Sequence, residues 1–171
     1  MPPTVRMDLV EEVDYVEEVA RMYGYDRLPM TLPRSHVESV RTANQMIRET
    51  AKNTLMGLGV KEIQTYSFVS PKTVDKIGLR PEDPARRFVT LLNPLGEDTS
   101  VMRTMLLPNM LEVLSRNMAR SIEGMRAYEL GNTFWVGDDP QAQLPTEKDV
   151  LCAALYGEQE SFFTLKGILT E

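Results

Sequence analysis

The chain has 171 residues, of which 42% are hydrophobic and 26% charged, and a formal net charge of −6. That is the size and make-up of one ordinary globular domain, or of one domain with part of another. The acidic balance argues against a general nucleic-acid surface, which is normally basic. A single cysteine, Cys152, excludes an intrachain disulfide and a cysteine zinc site and fits a reducing cytosol, and no apolar run is long enough to cross a bilayer as a helix.

The first predicted element is an amphipathic helix over Asp8 to Tyr23. Leu9, Val13, Val16, Ala20 and Tyr23 step by three and four and share a face. Asp8 with Glu11 has capping-box spacing, and Gly24 supplies the stop. Pro29 and Pro33 punctuate a linker. A second helix is expected from Ser39 to Leu58, with Val40, Ala43, Ile47, Ala51, Leu55 and Leu58 inward and Gly59 ending it. Val60 to Val69 alternates and is rich in β-branched and aromatic residues, so it predicts a strand. Ser70-Pro71 opens a short helix to Ile77, and a polar loop leads to a strand from Phe88 to Leu92.

Leu91 to Arg120, LLNPLGEDTSVMRTMLLPNMLEVLSRNMAR, reads as a strand end, a tight turn, a short exposed segment and a long helix. Asn93-Pro94-Leu95-Gly96 carries the turn, with proline presetting φ and glycine tolerating positive φ. Pro108 suits the first helical turn, where its missing N–H costs nothing. Met110, Leu111, Val113, Leu114, Asn117 and Met118 then form a stripe. Beyond it, MRAYEL and NTFWV predict two antiparallel strands joined at Gly131-Asn132. An exposed loop, a buried strand from Val150 to Tyr156 and a starting helix from Ser161 follow. Helices and strands in blocks, with hairpin-like connections, predict an α+β domain on an antiparallel sheet. The openings Pro2-Pro3-Thr4 and the abrupt end predict a piece of a longer polypeptide.

The strongest candidate site is acidic. Residues 1–30 carry seven carboxylates against three arginines, a local balance of −4. Asp14, Glu17 and Glu18 stand at i, i+3 and i+4 and share a helical face. Such a set serves either as a solvated face with acids near a helix N-terminus or as oxygen ligands for a hard divalent cation such as Mg²⁺. Nucleophilic chemistry has little support. His36 is the only histidine and lies in a linker, so no triad can be assembled. Cys152 sits in the apolar run VLCAALY as a structural thiol, and Gly57-Leu58-Gly59 lacks a phosphate-loop pattern.

The stretch Leu91 to Arg120 closely resembles the beta subunit of bacterial phenylalanyl-tRNA synthetases, whose pattern L-N-P-L-x-x-[ED]-x-S-x-[ML]-R-T-x-L-[LI]-P it follows. The resemblance extends through RMDLVEEVDYVEEVARMYGY, through Tyr128, Glu129, Gly131 and Phe134, and to FFTLKGILTE. It implies a class II synthetase-like antiparallel sheet flanked by helices and here truncated, with residues 1–30 ending a small metal-binding domain and 31–171 forming an incomplete core module. It implies Asp8, Asp14, Glu17 and Glu18 as Mg²⁺ ligands and no catalytic or cofactor-binding residues in this chain. The family's enzyme is a cytoplasmic heterotetramer of two alpha and two beta subunits that joins phenylalanine to tRNA(Phe) using ATP. Its chemistry resides in the alpha subunit, and the beta module supports that site and the subunit interface. A non-enzymatic interaction or dimerisation module with a synthetase-like fold is the alternative, and an independent enzyme using the four carboxylates a further one. Arg126 falls near the class II motif-2 position but is expected to be structural. Arg103 is expected to clamp the turn-to-helix entry, with Glu97 or Asp98 as partners.

Overall fold

The computed structural model describes residues 4–32, 34, 39–137 and 144–170. The chain divides into two compact units, Met1–Val40 and Arg41–Glu171.

In the first unit, helix α1 spans Glu12–Tyr23 and Tyr25–Arg27 makes a short 3₁₀ turn. The helix therefore begins four residues later than its apolar spacing predicts. The physical cause lies in the carboxylates: Asp8 is held by Arg6, while Asp14 accepts from the N–H groups of Val10 and Glu11 at 2.8 and 2.7 Å. The Glu11 amide is one of the donors a helix start leaves without partners, and the Val10 amide stands just before it. The box thus moves three residues on, to Glu11 and Asp14. The predicted apolar stripe is present but no residue of α1 is buried, and Val13, Val16 and Tyr23 stay more than half exposed.

In the second unit, α2 spans Ala43–Gly57. Thr42 caps it, its hydroxyl accepting from Gln45 N–H while the Gln45 carboxamide accepts from Thr42 N–H. Gly59, at φ +75°, turns the chain away afterwards. The predicted strand over 60–69 is two short pieces, β1 (Lys61–Glu62) and β2 (Phe68–Val69). Pro71–Ile77 is a 3₁₀ helix capped by Ser70. Instead of a strand over 88–92 there is a single bridge, Thr90 to Val101, and β3 is Val101–Met102. Helix α3 spans Leu107–Met118 with Pro108 in its first turn, as expected.

Strand β4 runs unbroken over Met125–Trp135, and β5 over Thr146–Tyr156. This overturns the hairpin predicted at Gly131-Asn132: Gly131 pairs with Val150 in mid-ladder. Gly96, likewise, is extended at φ −179° rather than left-handed, and Glu97–Thr99 makes the turn as a 3₁₀ segment. Helix α4 spans Phe162–Thr170.

The sheet order is β1-β4-β5, with β1 parallel to β4 and β4 antiparallel to β5, and β2-β3 form a separate antiparallel pair. Helices cover both faces of the larger sheet. On one face Tyr128, Ala153 and Leu155 meet Leu55 and Leu58 around α2 and Ile168 of α4. On the other, Ala127, Cys152 and Ala154 meet Met110 and Leu114 of α3. The alternation along each strand is the period-two rule of a pleated sheet. Burying a Leu or Met in such a layer stabilises by about 1.5–3 kcal/mol. Met110 is completely buried, whereas Leu111 and Met118 of the predicted stripe remain exposed. Asp149 of β5 adds a polar tie to α2, accepting from Asn44 at 3.0 Å and pairing with Arg48.

Candidate functional site

Two constellations stand out, one in each unit. In the first unit Arg6 lies between Asp8 and Glu18. Its Nε and Nη2 donate to Asp8 at 3.0 and 2.7 Å, and Nη2 also donates to Glu18 Oε1 at 2.7 Å. Arg21 donates to Glu18 Oε2 at 2.6 Å. These hydrogen bonds, Arg6 first, hold the Asp8 and Glu18 carboxyls below their ordinary values and raise the Arg6 guanidinium further. Asp14 is turned to the backbone amides of Val10 and Glu11, and Glu17 is exposed. Arg6 therefore brings Asp8 and Glu18 together, but Asp14 and Glu17 do not join them. No group of three or more His, Cys, Asp or Glu side chains among the described residues is placed to hold a metal ion. In this arrangement the four carboxylates do not fit as a Mg²⁺ cage: three are engaged with protein N–H groups.

The second constellation lies under the sheet of the larger unit. Arg103 leaves β3 and is 4% exposed; Glu129 of β4 is 3% exposed. Arg103 Nη1 donates to Glu129 Oε1 at 2.7 Å and to Thr65 Oγ1 at 2.9 Å, and Nε donates to the Asn132 carbonyl at 3.0 Å. The Thr65 hydroxyl donates to Glu129 Oε2 at 2.8 Å, and Asn109 Nδ2 donates to Thr65 Oγ1 at 3.1 Å. Arg103 is therefore buried and paired, but it ties β4 to Thr65 instead of clamping the turn before α3, and its carboxylate partner is Glu129 and neither Glu97 nor Asp98. Glu97 pairs instead with Lys72 at 2.8 Å. The main chain of Arg103 is equally engaged, its N–H donating to Ser67 and its carbonyl accepting from Phe134.

Gly131 makes this approach possible. A Cβ there would stand 2.5 Å from Arg103 Nη2 and 3.3 Å from Glu129 Oε1, so only glycine lets the guanidinium lie against the strand. Turn chemistry suggested a hairpin for Gly131; a lone glycine within an alternating run signals close approach just as well. Thr65, Asn109 and Glu129 as partners of Arg103 escape sequence reasoning, because nothing local marks them. Thr104, next to Arg103, is also buried and donates to the Ala85 carbonyl at 2.6 Å.

Beside this network opens a cavity of about 550 Å³, whose walls include Thr65, Tyr66, Ser70, Lys76, Asn109 and Arg116. Its two cations face Glu112, Lys76 at 3.8 Å and Arg116 at 3.3 Å. Their charge is thereby partly neutralised. A second, mainly apolar groove of about 440 Å³ runs between α2, α4 and β5, walled by Met46, Ile47, Leu151, Ile168 and Leu169. Arg126 projects to the end of the sheet, where its Nε donates to Glu160 at 2.7 Å. Cys152 is half-buried, and burial followed by the nearby Glu129 charge pushes its thiol up. His36 lies outside the described residues. No described helix is long and apolar enough to cross a membrane.

Comparison with known proteins agrees with this architecture. The family described as phenylalanyl tRNA synthetase beta chain CLM domain matches residues 28–171. The phenylalanine–tRNA ligase beta subunit of Clostridium tetani is 40% identical over 168 residues, covering 98% of this chain and 21% of that protein. That of Geobacter sulfurreducens is 41% identical over 158 residues, covering 92% of this chain and 20% of that protein. The chain thus spans about a fifth of the length of the curated relatives it matches. Among solved structures, a pyrrolysyl tRNA synthetase from Desulfitobacterium hafniense superposes with a TM-score of 0.56 at 20% identity, over 76% of this chain and 44% of that one. A second structure of a pyrrolysyl-tRNA synthetase from the same organism gives 0.52 at 14% identity, over 90% of this chain and 50% of that one. The chain shares their synthetase-like fold.

Proposed function

Because the chain belongs to the phenylalanyl-tRNA synthetase beta-chain family, through its CLM domain, we propose that it works as a scaffold module of a phenylalanine–tRNA ligase beta subunit. The observation that carries this reading is where the most family-like stretch spends its polar groups. Arg103 is committed to Glu129, Thr65 and Asn132, Thr104 to Ala85, and Asn109 to Thr65 and Tyr66. A guanidinium neutralised by a buried carboxylate and fixed by backbone carbonyls is an architectural element. Transition-state stabilisation needs a cation aimed at the place where charge develops.

In this reading the module packs against an alpha subunit that carries the chemistry, within a cytoplasmic alpha–beta heterotetramer joining phenylalanine to tRNA(Phe) with ATP. The apolar groove between α2, α4 and β5 supports partner docking, since a solvent-facing apolar channel beside a helix gains from being covered. The finer sheet is that of a class II synthetase core, which the β4–β5 ladder would anchor. Residues 1–30 would close a preceding small domain, with 31–171 as the core. Asp8, Asp14, Glu17 and Glu18 would be its Mg²⁺ carboxylates once assembly has rearranged them.

The test is assembly. The 171-residue chain is mixed with the alpha subunit of a closely related enzyme and followed by size-exclusion chromatography with light scattering. A stable complex is expected, with Ile47→Asp and Leu151→Asp abolishing it while the fold persists. A chain that stays separate at micromolar concentration would remove the scaffold reading, and formation of a self-complex alone would favour the dimerisation module.

A further inference from the structure

We infer that the outer edge of β5 is a pairing edge for a second copy of this chain: two β5 strands meet antiparallel about a two-fold axis at Ala153 and join their three-stranded sheets into one. This goes beyond the scaffold reading and does not depend on it.

In the order β1-β4-β5, β5 is an edge strand, and among the described residues only β4 pairs with it. Helices cover both faces of the sheet, yet the two long strands differ in exposure. Ala127 and Tyr128 of β4 are buried, while their ladder partners Ala154 and Ala153 keep part of their surface. What stays open is therefore the side of the strand, where alternate N–H and C=O groups point away from β4. Past β5 the chain turns back toward β4, for a Cβ on Gly157 would stand 3.3 Å from the Gly124 Cα. Edges that remain single are blunted by charge, proline, bulges or short length. β5 pairs over eleven residues without a bulge, contains no proline, and carries no charged side chain over Val150–Tyr156.

The same pattern selects the occupant, since an isologous pair needs a strand complementary to itself. With Ala153 opposite Ala153, the uncharged run faces itself: Cys152 meets Ala154, Leu151 meets Leu155 and Val150 meets Tyr156. Beyond the run Asp149 meets Gly157, and Lys148 meets Glu158, both exposed. Charges thus face each other only as opposites, a favourable cross-strand pairing. An axis at Leu151 would instead lay Lys148 against Ala154 and Glu147 against Leu155. Leu151, which walls the apolar groove, gains Leu155 of the second copy as a neighbour.

Sedimentation equilibrium of the 171-residue chain over the micromolar range should show a monomer–dimer equilibrium. Lys148→Glu sets an acidic pair at each end of the joint ladder and should raise the dimer Kd about three- to tenfold; adding Glu158→Lys should restore it. Ala153→Cys in a Cys152→Ser background should cross-link under mild oxidation, because directly opposed side chains stand about 4.5–5.5 Å apart. Wild-type Cys152 should not, since its counterpart lies diagonally at about 7–8 Å, too far for a disulfide. A monomer at every concentration overturns the inference. So does a dimer that the charge exchange fails to restore, or one that cross-links through Cys152 as readily as through Ala153→Cys. Urea unfolding followed by circular dichroism at monomeric dilution should be alike in all variants, which separates lost pairing from lost folding. Alpha-subunit binding, assayed separately, judges the scaffold reading.

Discussion

Replacing Arg103 by methionine tests the scaffold at its centre. The two side chains of the pair are 5% and 3% exposed. Arg103→Met fills much the same volume but leaves Glu129 charged and buried, with only the Thr65 hydroxyl at 2.8 Å and the Thr65 N–H at 3.3 Å to stabilise it. It also strips the Asn132 carbonyl of its 3.0 Å donor. Breaking a buried pair by removing one partner costs about 3–5 kcal/mol, set against a total stability of about 5–15 kcal/mol for a typical domain. The single variant should therefore lose about a fifth of its stability or more. Urea unfolding followed by fluorescence of Trp135, the only tryptophan, reads this directly. Arg103→Met with Glu129→Leu removes the orphan charge, so the double variant should be more stable than the single one. Its remaining deficit of about 1–3 kcal/mol would come from the Asn132 carbonyl, which loses the Arg103 donor, and the Thr65 O–H, which loses Glu129 as acceptor. A loss below about 1 kcal/mol in Arg103→Met, or additive losses in the double variant, would refute the claim that the pair acts as one buried unit.

Three further outcomes are expected. Gly131→Ala should destabilise by about 1–3 kcal/mol through overpacking against the guanidinium, and most of that loss should disappear in an Arg103→Ala background, as measured by the same unfolding curves. Cys152, whose thiol is pushed up by burial, should react with iodoacetamide at pH 8 more slowly than a free cysteine peptide; equal rates would contradict its placement against α3. The Glu97 carboxyl is held below its ordinary 4.5 by the Lys72 hydrogen bond, so this pair stabilises the fold above the unfolded-state value and ceases to do so as pH falls through the lower folded one. An NMR titration should place the Glu97 midpoint below 4.5 in the wild type and return it upward in Lys72→Met.

In the larger unit α3 was legible because Pro108 and the Met110–Leu114 stripe act within one or two turns, whereas α2, expected from Ser39, begins only at Ala43, where Thr42 and Gln45 cap it. The burial of Arg103 was legible too, from its apolar neighbours. Its partner was not, since Glu97 and Asp98 lie close in sequence whereas Glu129 arrives from a strand 26 residues on. The same long-range contact overrode local chemistry at Gly131-Asn132, where a turn-prone pair is held extended by the ladder and by Arg103. It also explains the broken strand over 60–69: the chain leaves the sheet after Glu62, and Thr65 then faces Arg103 and Glu129. Along the acidic helix the sequence carries carboxylate spacing, but the orientation of Asp8 depends on Arg6, which spacing does not encode.

The β4–β5 ladder runs through eleven paired positions without a bulge, and helices lie on both of its faces. Shifting one strand by a single residue would present Tyr128 to the α3 layer and Ala127 to the α2 layer, exchanging a large side chain for a small one on both sides at once. Variation among lineages can therefore replace residues in these strands, but it must conserve the odd–even parity of their positions. A single insertion between Met125 and Trp135 would act as a frameshift in three dimensions, leaving length changes to the connections outside the ladder.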